Sequence, residues 1–115
     1  MKILIIDDEE LDLFINRKLL SMEFDVEGFT TLSDTLHWAN NNNFDIALVD
    51  YYLGPGLTAD KVLSELRATK GNTFRAFVLS NYVDEKQSRN LREIGFEDII
   101  YKPLTTELFK SKLNI

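Results

Sequence analysis

The chain has 115 residues, 44% of them hydrophobic, with 13 basic and 19 acidic side chains for a net charge of -6, and no cysteine. That length supports one domain with a single buried core, and the missing cysteines exclude disulfides, zinc ribbons and thiol chemistry while suiting a reducing compartment. The negative balance and scattered basic residues leave no footprint for a nucleic-acid backbone, and no run approaches the roughly 18 apolar residues of a membrane span, so neither nucleic acid nor membrane is an expected partner and the expected location is cytoplasmic.

Short apolar runs alternate with segments of helical period, the pattern of five βαβ-type units around a parallel sheet. The first strand is expected over Lys2 to Asp7 and opens onto Asp7-Asp8-Glu9-Glu10. A helix follows over Glu10 to Glu23, with Leu11, Phe14, Ile15, Leu19 and Met22 at helical spacing as its expected core stripe. Leu13 and Leu20 lie off that stripe; with Arg17 they either form an exposed docking strip or widen the buried face of the helix. The second strand, Val26 to Phe29, leads to a helix over Ser33 to Asn40 that the polar run Asn40 to Asn43 closes. On it, the lone His37 and Trp38 receive only surface or packing roles.

The third strand, Ile46 to Asp50, and the fourth, Ala76 to Ser80, are continuously apolar up to their last residue, as expected of strands covered on both faces. Between them, Gly54-Pro55-Gly56 precedes a helix that begins near Thr58 or Ala59, carries Val62, Leu63 and Leu66, and stops around Gly71. A fourth helix starts at Asp84, with Gln87 three residues on as in a capping box, and ends at Gly95. The fifth strand, Ile99 to Tyr101, meets Lys102-Pro103, a bond that can be cis, and a last helix runs from behind Thr105 or Thr106 to the C-terminus.

Four of these strands end in residues suited to phosphoryl chemistry: Asp7 and Asp8, Asp50, Ser80 and Lys102. Ligands of open α/β sheets bind beyond the carboxyl ends of the strands, so neighbouring parallel strands would bring these groups to one edge. Adjacent acids repel, and a hard divalent cation such as Mg²⁺ relieves the repulsion through oxygen ligands. Each residue also has a plainer reading. Asp-Asp-Glu-Glu suits a helix start, Asp50 a turn, Ser80 a local cap, and Lys102 a solvated loop.

The joint order of acid pair, lone Asp, hydroxyl and Lys-Pro resembles the receiver domain of two-component response regulators, over residues 1 to 115. The resemblance implies an α/β, flavodoxin-like (βα)5 fold: a doubly wound three-layer sandwich with a parallel five-stranded sheet in the order 2-1-3-4-5. It implies that Asp50 accepts a phosphoryl group from a histidine kinase or a histidine phosphotransfer protein. Asp8, Asp50 and the backbone carbonyl of Tyr52 would hold Mg²⁺ directly, and Asp7 through a water. Lys102 would pair with a phosphoryl oxygen, and Ser80 would hydrogen-bond another and carry the switch. The family often has an aromatic three residues before the Lys; here that residue is Ile99, with Tyr101 next to Lys102, which departs from the usual aromatic relay. Tyr52 and Tyr82, each two residues beyond a site group, would shield the acyl phosphate from water and slow its hydrolysis.

The implied protein is a signalling switch and not an enzyme acting on external substrates. It would be a stand-alone receiver or an excised domain, working by contact with a downstream protein or with itself as a homodimer. A Mg²⁺-dependent phosphohydrolase fits less well, since the chain has neither an Asp-x-Asp loop after its first strand nor a glycine-rich phosphate cradle. A flavodoxin-like cofactor binder would place two acids against its phosphate. A phosphorylation-independent scaffold would not need the full set of site residues.

Overall fold

The computed structural model describes residues 1–115, and in it strands and helices alternate without exception. The elements are β1 (Lys2–Ile6), α1 (Glu10–Leu20), β2 (Asp25–Phe29), α2 (Leu32–Asn41), β3 (Ile46–Asp50), α3 (Ala59–Lys70), β4 (Arg75–Ser80), α4 (Glu85–Ile94), β5 (Asp98–Tyr101) and α5 (Thr106–Leu113). All strand pairs are parallel, in the order β2-β1-β3-β4-β5, as the resemblance implied.

Alternate residues of each central strand feed opposite faces. Leu4 and Ile6 of β1, with Val49, Val78 and Ile99, pack under α2, α3 and α4 through Ala39, Val62, Leu66 and Leu91. Ile3 and Ile5, with Leu48, Phe77 and Ile100, pack under α1 and α5 through Leu13, Leu20, Phe109 and Leu113. Every residue of β3 is buried, consistent with its unbroken apolar run.

Local signals account for the helix ends. Asp84 accepts from the Gln87 amide at 2.7 Å while Gln87 Oε1 accepts from the Asp84 amide at 2.9 Å, the reciprocal pair expected at the start of α4. Thr31 and Thr105 cap α2 and α5. Helix α1 is shorter than its periodicity predicts, ending at Leu20, with a turn over residues 21–23. Helix α5 likewise stops at Leu113, where Asn114 turns into the left-handed region at φ 61°.

The expected core stripe of α1 requires correction. Leu11, Phe14, Ile15 and Met22 face solvent, with only Leu19 partly buried, whereas Leu13, Asn16 and Leu20 are buried. Leu13 and Leu20 therefore form the inner face, and the docking-strip reading for them falls. The reason lies on β2. A side chain on Gly28 would stand 2.5 Å from Leu13 Cδ1, so the bare backbone there is the seat into which Leu13 fits. Periodicity identifies an apolar face, but the sheet selects which face is used.

Candidate functional site

The strand register assembles the site. Ile6 pairs with Val49, so the next residues, Asp7 and Asp50, leave the sheet side by side. Asp50 pairs with Leu79 and Ser80 with Tyr101, so Ser80 and Lys102 each lie one step further along. Backbone bonds extend this staircase past the strands: Tyr51 N donates to Leu79 O at 2.9 Å and Lys102 N to Ser80 O at 2.9 Å.

Adjacent residues on a strand point to opposite faces, yet Asp7 and Asp8 serve one site. The chain turns directly after β1, where Asp7 Oδ1 accepts from the Glu9 amide at 3.0 Å. Asp7 is fully buried and Asp50 nearly so, while Asp8 is exposed. One carboxylate oxygen from each of the three lies within 4.8 Å of the others. Gly54, at φ +87°, lies beside the cluster; a Cβ there would come to 3.1 Å from Asp8 Oδ2, and the backbone conformation itself favours glycine.

Lys102 reaches the cluster from the end of β5, ahead of a cis bond to Pro103. Its ammonium stands 3.0 Å from Asp50 Oδ1 and 3.7 Å from Asp7 Oδ2. It also stands 3.4 Å from Asp12 Oδ2 on the first turn of α1, a partner that sequence reasoning missed. An acid there reads as an ordinary helix start, and no local signal set it apart.

Burial pushes the Asp50 carboxyl up to about 6, against the pull of the Lys102 hydrogen bond, and the Asp7 and Asp8 charges push the same way. Burial also raises Asp7, outweighing the Glu9 amide and Lys102. For Lys102, burial works against the charged form, but Asp50, Asp7 and Asp12 overcome it and raise its pKa. One ammonium thus serves several acids, too little positive charge for a buried cluster. Asp7 Oδ2 is buried without a hydrogen-bond partner, and the donor set consists wholly of hard oxygens. These residues fit a Mg²⁺-type cation.

Ser80 is 1% exposed and its hydroxyl is engaged by the backbone two residues on, donating to Tyr82 O at 3.0 Å and accepting from Tyr82 N at 3.2 Å. Tyr52 and Tyr82 have exposed rings, and the Tyr52 ring meets Tyr51 edge-on at 4.8 Å. Ile99 is buried in the core, while Tyr101 is 43% exposed. A groove of about 550 Å³ between the β3–α3 loop and α4, lined by Tyr51, Leu57, Leu91 and Ile94 among others, lies beside the acids without containing them. His37 is exposed, and Trp38 packs between Phe29 and Phe44.

The family model for the response regulator receiver domain matches residues 3–114. A cyclic di-GMP phosphodiesterase of Thermotoga maritima is 29% identical over 98% of this chain, which spans only 30% of that protein's length. Among solved structures, a CheY-like response regulator receiver domain protein of Methanospirillum hungatei superposes with a TM-score of 0.82 at 23% identity, covering 98% of this chain and 90% of that one. The chemotaxis protein CheY4 of Vibrio cholerae gives 0.81 at 19% identity, covering 98% and 95%.

Proposed function

This chain belongs to the response regulator receiver domain family, and from that premise we propose that it is a phosphorylation-dependent switch that accepts a phosphoryl group on Asp50 from a histidine kinase or a histidine phosphotransfer protein. The observation that carries this reading is the Asp50 carboxylate at the end of β3, clustered with Asp7 and Asp8 and bonded at 3.0 Å to Lys102.

Asp50 is the nucleophile. Its oxygen attacks the phosphorus of a phosphohistidine, the P–N bond breaks as the O–P bond forms, and the released imidazole takes a proton from solvent. The carboxylate must be ionised to attack, which its pKa of about 6 permits at neutral pH. Mg²⁺ held by Asp8, Asp50 and the Tyr52 carbonyl, with Asp7 acting through a water, would supply the positive charge that lets an anionic phosphate approach these acids. Lys102 transfers its hydrogen bond from the carboxylate to a phosphoryl oxygen and stabilises charge there.

Ser80 then becomes the reporter. To donate to a phosphoryl oxygen it must release the Tyr82 carbonyl, which loosens the loop that leads into α4. With Ile99 in the core, no aromatic swing at that position takes part. Tyr52 and Tyr82 flank the mouth and slow hydrolysis of the acyl phosphate. The outward face of α1, with Leu11, Phe14 and Ile15 exposed and Met22 exposed in the turn beyond it, suits docking of the helical bundle of the phosphodonor. The chain works in the cytoplasm, modifies only its own Asp50, and delivers its signal by contact with a downstream protein or a second copy.

The test is incubation with acetyl phosphate and Mg²⁺, read by intact mass. The parent chain should gain one phosphoryl group and Asp50→Ala none. An equal gain by Asp50→Ala would overturn the assignment.

A further inference from the structure

Three acids on three different segments share the Lys102 ammonium, and they are not equivalent. Asp50 and Asp7 belong to the cluster that fits a divalent cation; Asp12 does not. Asp12 sits on the first turn of α1, its side chain 39% exposed, at the rim of a cleft that it lines with Ile15, Asn16, Asn81, Lys102 and Pro103. It lies 90 residues from Lys102 in the chain, yet its Oδ2 accepts a hydrogen bond from that ammonium at 3.4 Å.

We infer that Asp12 is a positioning residue for Lys102: an anchor outside the metal cluster that holds the ammonium at the rim of the site while the cluster takes up its cation and the acceptor its phosphoryl group. The inference rests on the functional reading above. Its physical basis is competition. An ammonium and a divalent cation seek the same carboxylate oxygens and repel each other at short range. With Asp50 and Asp7 as its only partners, Lys102 would either resist the incoming cation or be driven off unpaired. Its side chain is only 15% exposed, so an unpaired ammonium there would be poorly solvated. Asp12 supplies a counter-ion that the cation leaves free, and the flexible four-carbon stem lets Lys102 shift its weight toward it without leaving the site. One bond then persists while the other moves from carboxylate to phosphoryl oxygen.

An acid on the first turn of α1 also complements the helix dipole, so the test must separate that role from positioning. Glu10 is the control: it lies in the same turn, is exposed and makes no ion pair. Mg²⁺ affinity is measured by calorimetry on the full chain, and acetyl phosphate uptake is followed in parallel. Asp12→Asn should weaken Mg²⁺ binding about fivefold or more, and Glu10→Gln less than about twofold, with Asp12→Glu restoring most of the loss. In a Lys102→Met background the Asp12→Asn effect should shrink to that of Glu10→Gln. Equal effects of Asp12→Asn and Glu10→Gln, or an undiminished loss in Lys102→Met, would overturn the inference. A parent chain that binds Mg²⁺ and gains a phosphoryl group, with Asp12→Asn doing both as well as the parent, sinks this inference alone; a parent that binds no Mg²⁺ sinks the functional reading and the inference together.

Discussion

Asp50 is held in a state that disfavours its own charge. The folded chain keeps its proton up to about 6, whereas the ordinary Asp value is 3.8. Between those values the folded state binds more protons than the unfolded one, so this group lowers stability as pH rises through the window, and the full penalty is present above it. Asn keeps the shape and never ionises. Asp50→Asn should therefore stabilise the Mg²⁺-free chain by about 2–3 kcal/mol near pH 7.5 and by almost nothing below about pH 4. Denaturant unfolding with a chelator present checks this, and a gain independent of pH would contradict it. At this scale the sequence was informative wherever a reactive residue directly follows an apolar run, as with Asp7, Asp50, Ser80 and Lys102. It was silent on Asp12, because an acid at a helix start already has a sufficient local reason.

Helix α1 carries two apolar sets on one cylinder. The larger one, Leu11, Phe14 and Ile15, shows the stronger periodicity yet faces water; Leu13 and Leu20 are the ones buried. Gly28 on β2, a residue in a different element, contributes to that choice, since its missing side chain admits Leu13. Leu13→Ala should thus cost about 2–4 kcal/mol of stability, and Phe14→Ala less than about 0.5 kcal/mol. Phe14→Ala should instead slow transfer from a phosphohistidine donor while leaving labelling by acetyl phosphate intact. Unfolding curves and the two labelling assays together test the assignment of faces; destabilisation by Phe14→Ala equal to that by Leu13→Ala would reverse it. Where only one apolar set exists, as with Val62, Leu63 and Leu66 of α3, periodicity alone found the inner face.

Across the molecule, firmness is uneven. The central strands are buried on both faces, whereas α4 buries only Leu91, leaves Ile94 46% exposed and borders the open groove. Its link to the site is the loop that Ser80 holds through Tyr82. Beryllofluoride with Mg²⁺ should therefore change amide exchange over residues 80–94 and leave β1 and β3 unchanged, and Asp50→Ala should abolish the effect. Uniform change across the sheet would argue against a switch routed through this loop. The sequence by itself determined the alternation of strands and helices, the capping of α4 and the placing of reactive residues at strand ends. Those signals are local: a run, a cap and its neighbour lie within a few residues of one another. Tertiary structure alone decided which face of α1 is core, that Asp12 joins Lys102, and that Ser80 is bound to its own loop. The first two depend on what a side chain meets after the chain has folded back on itself, a contact that no local pattern encodes; the third is a bond between residues two apart, open to the sequence only as one of two readings of Ser80.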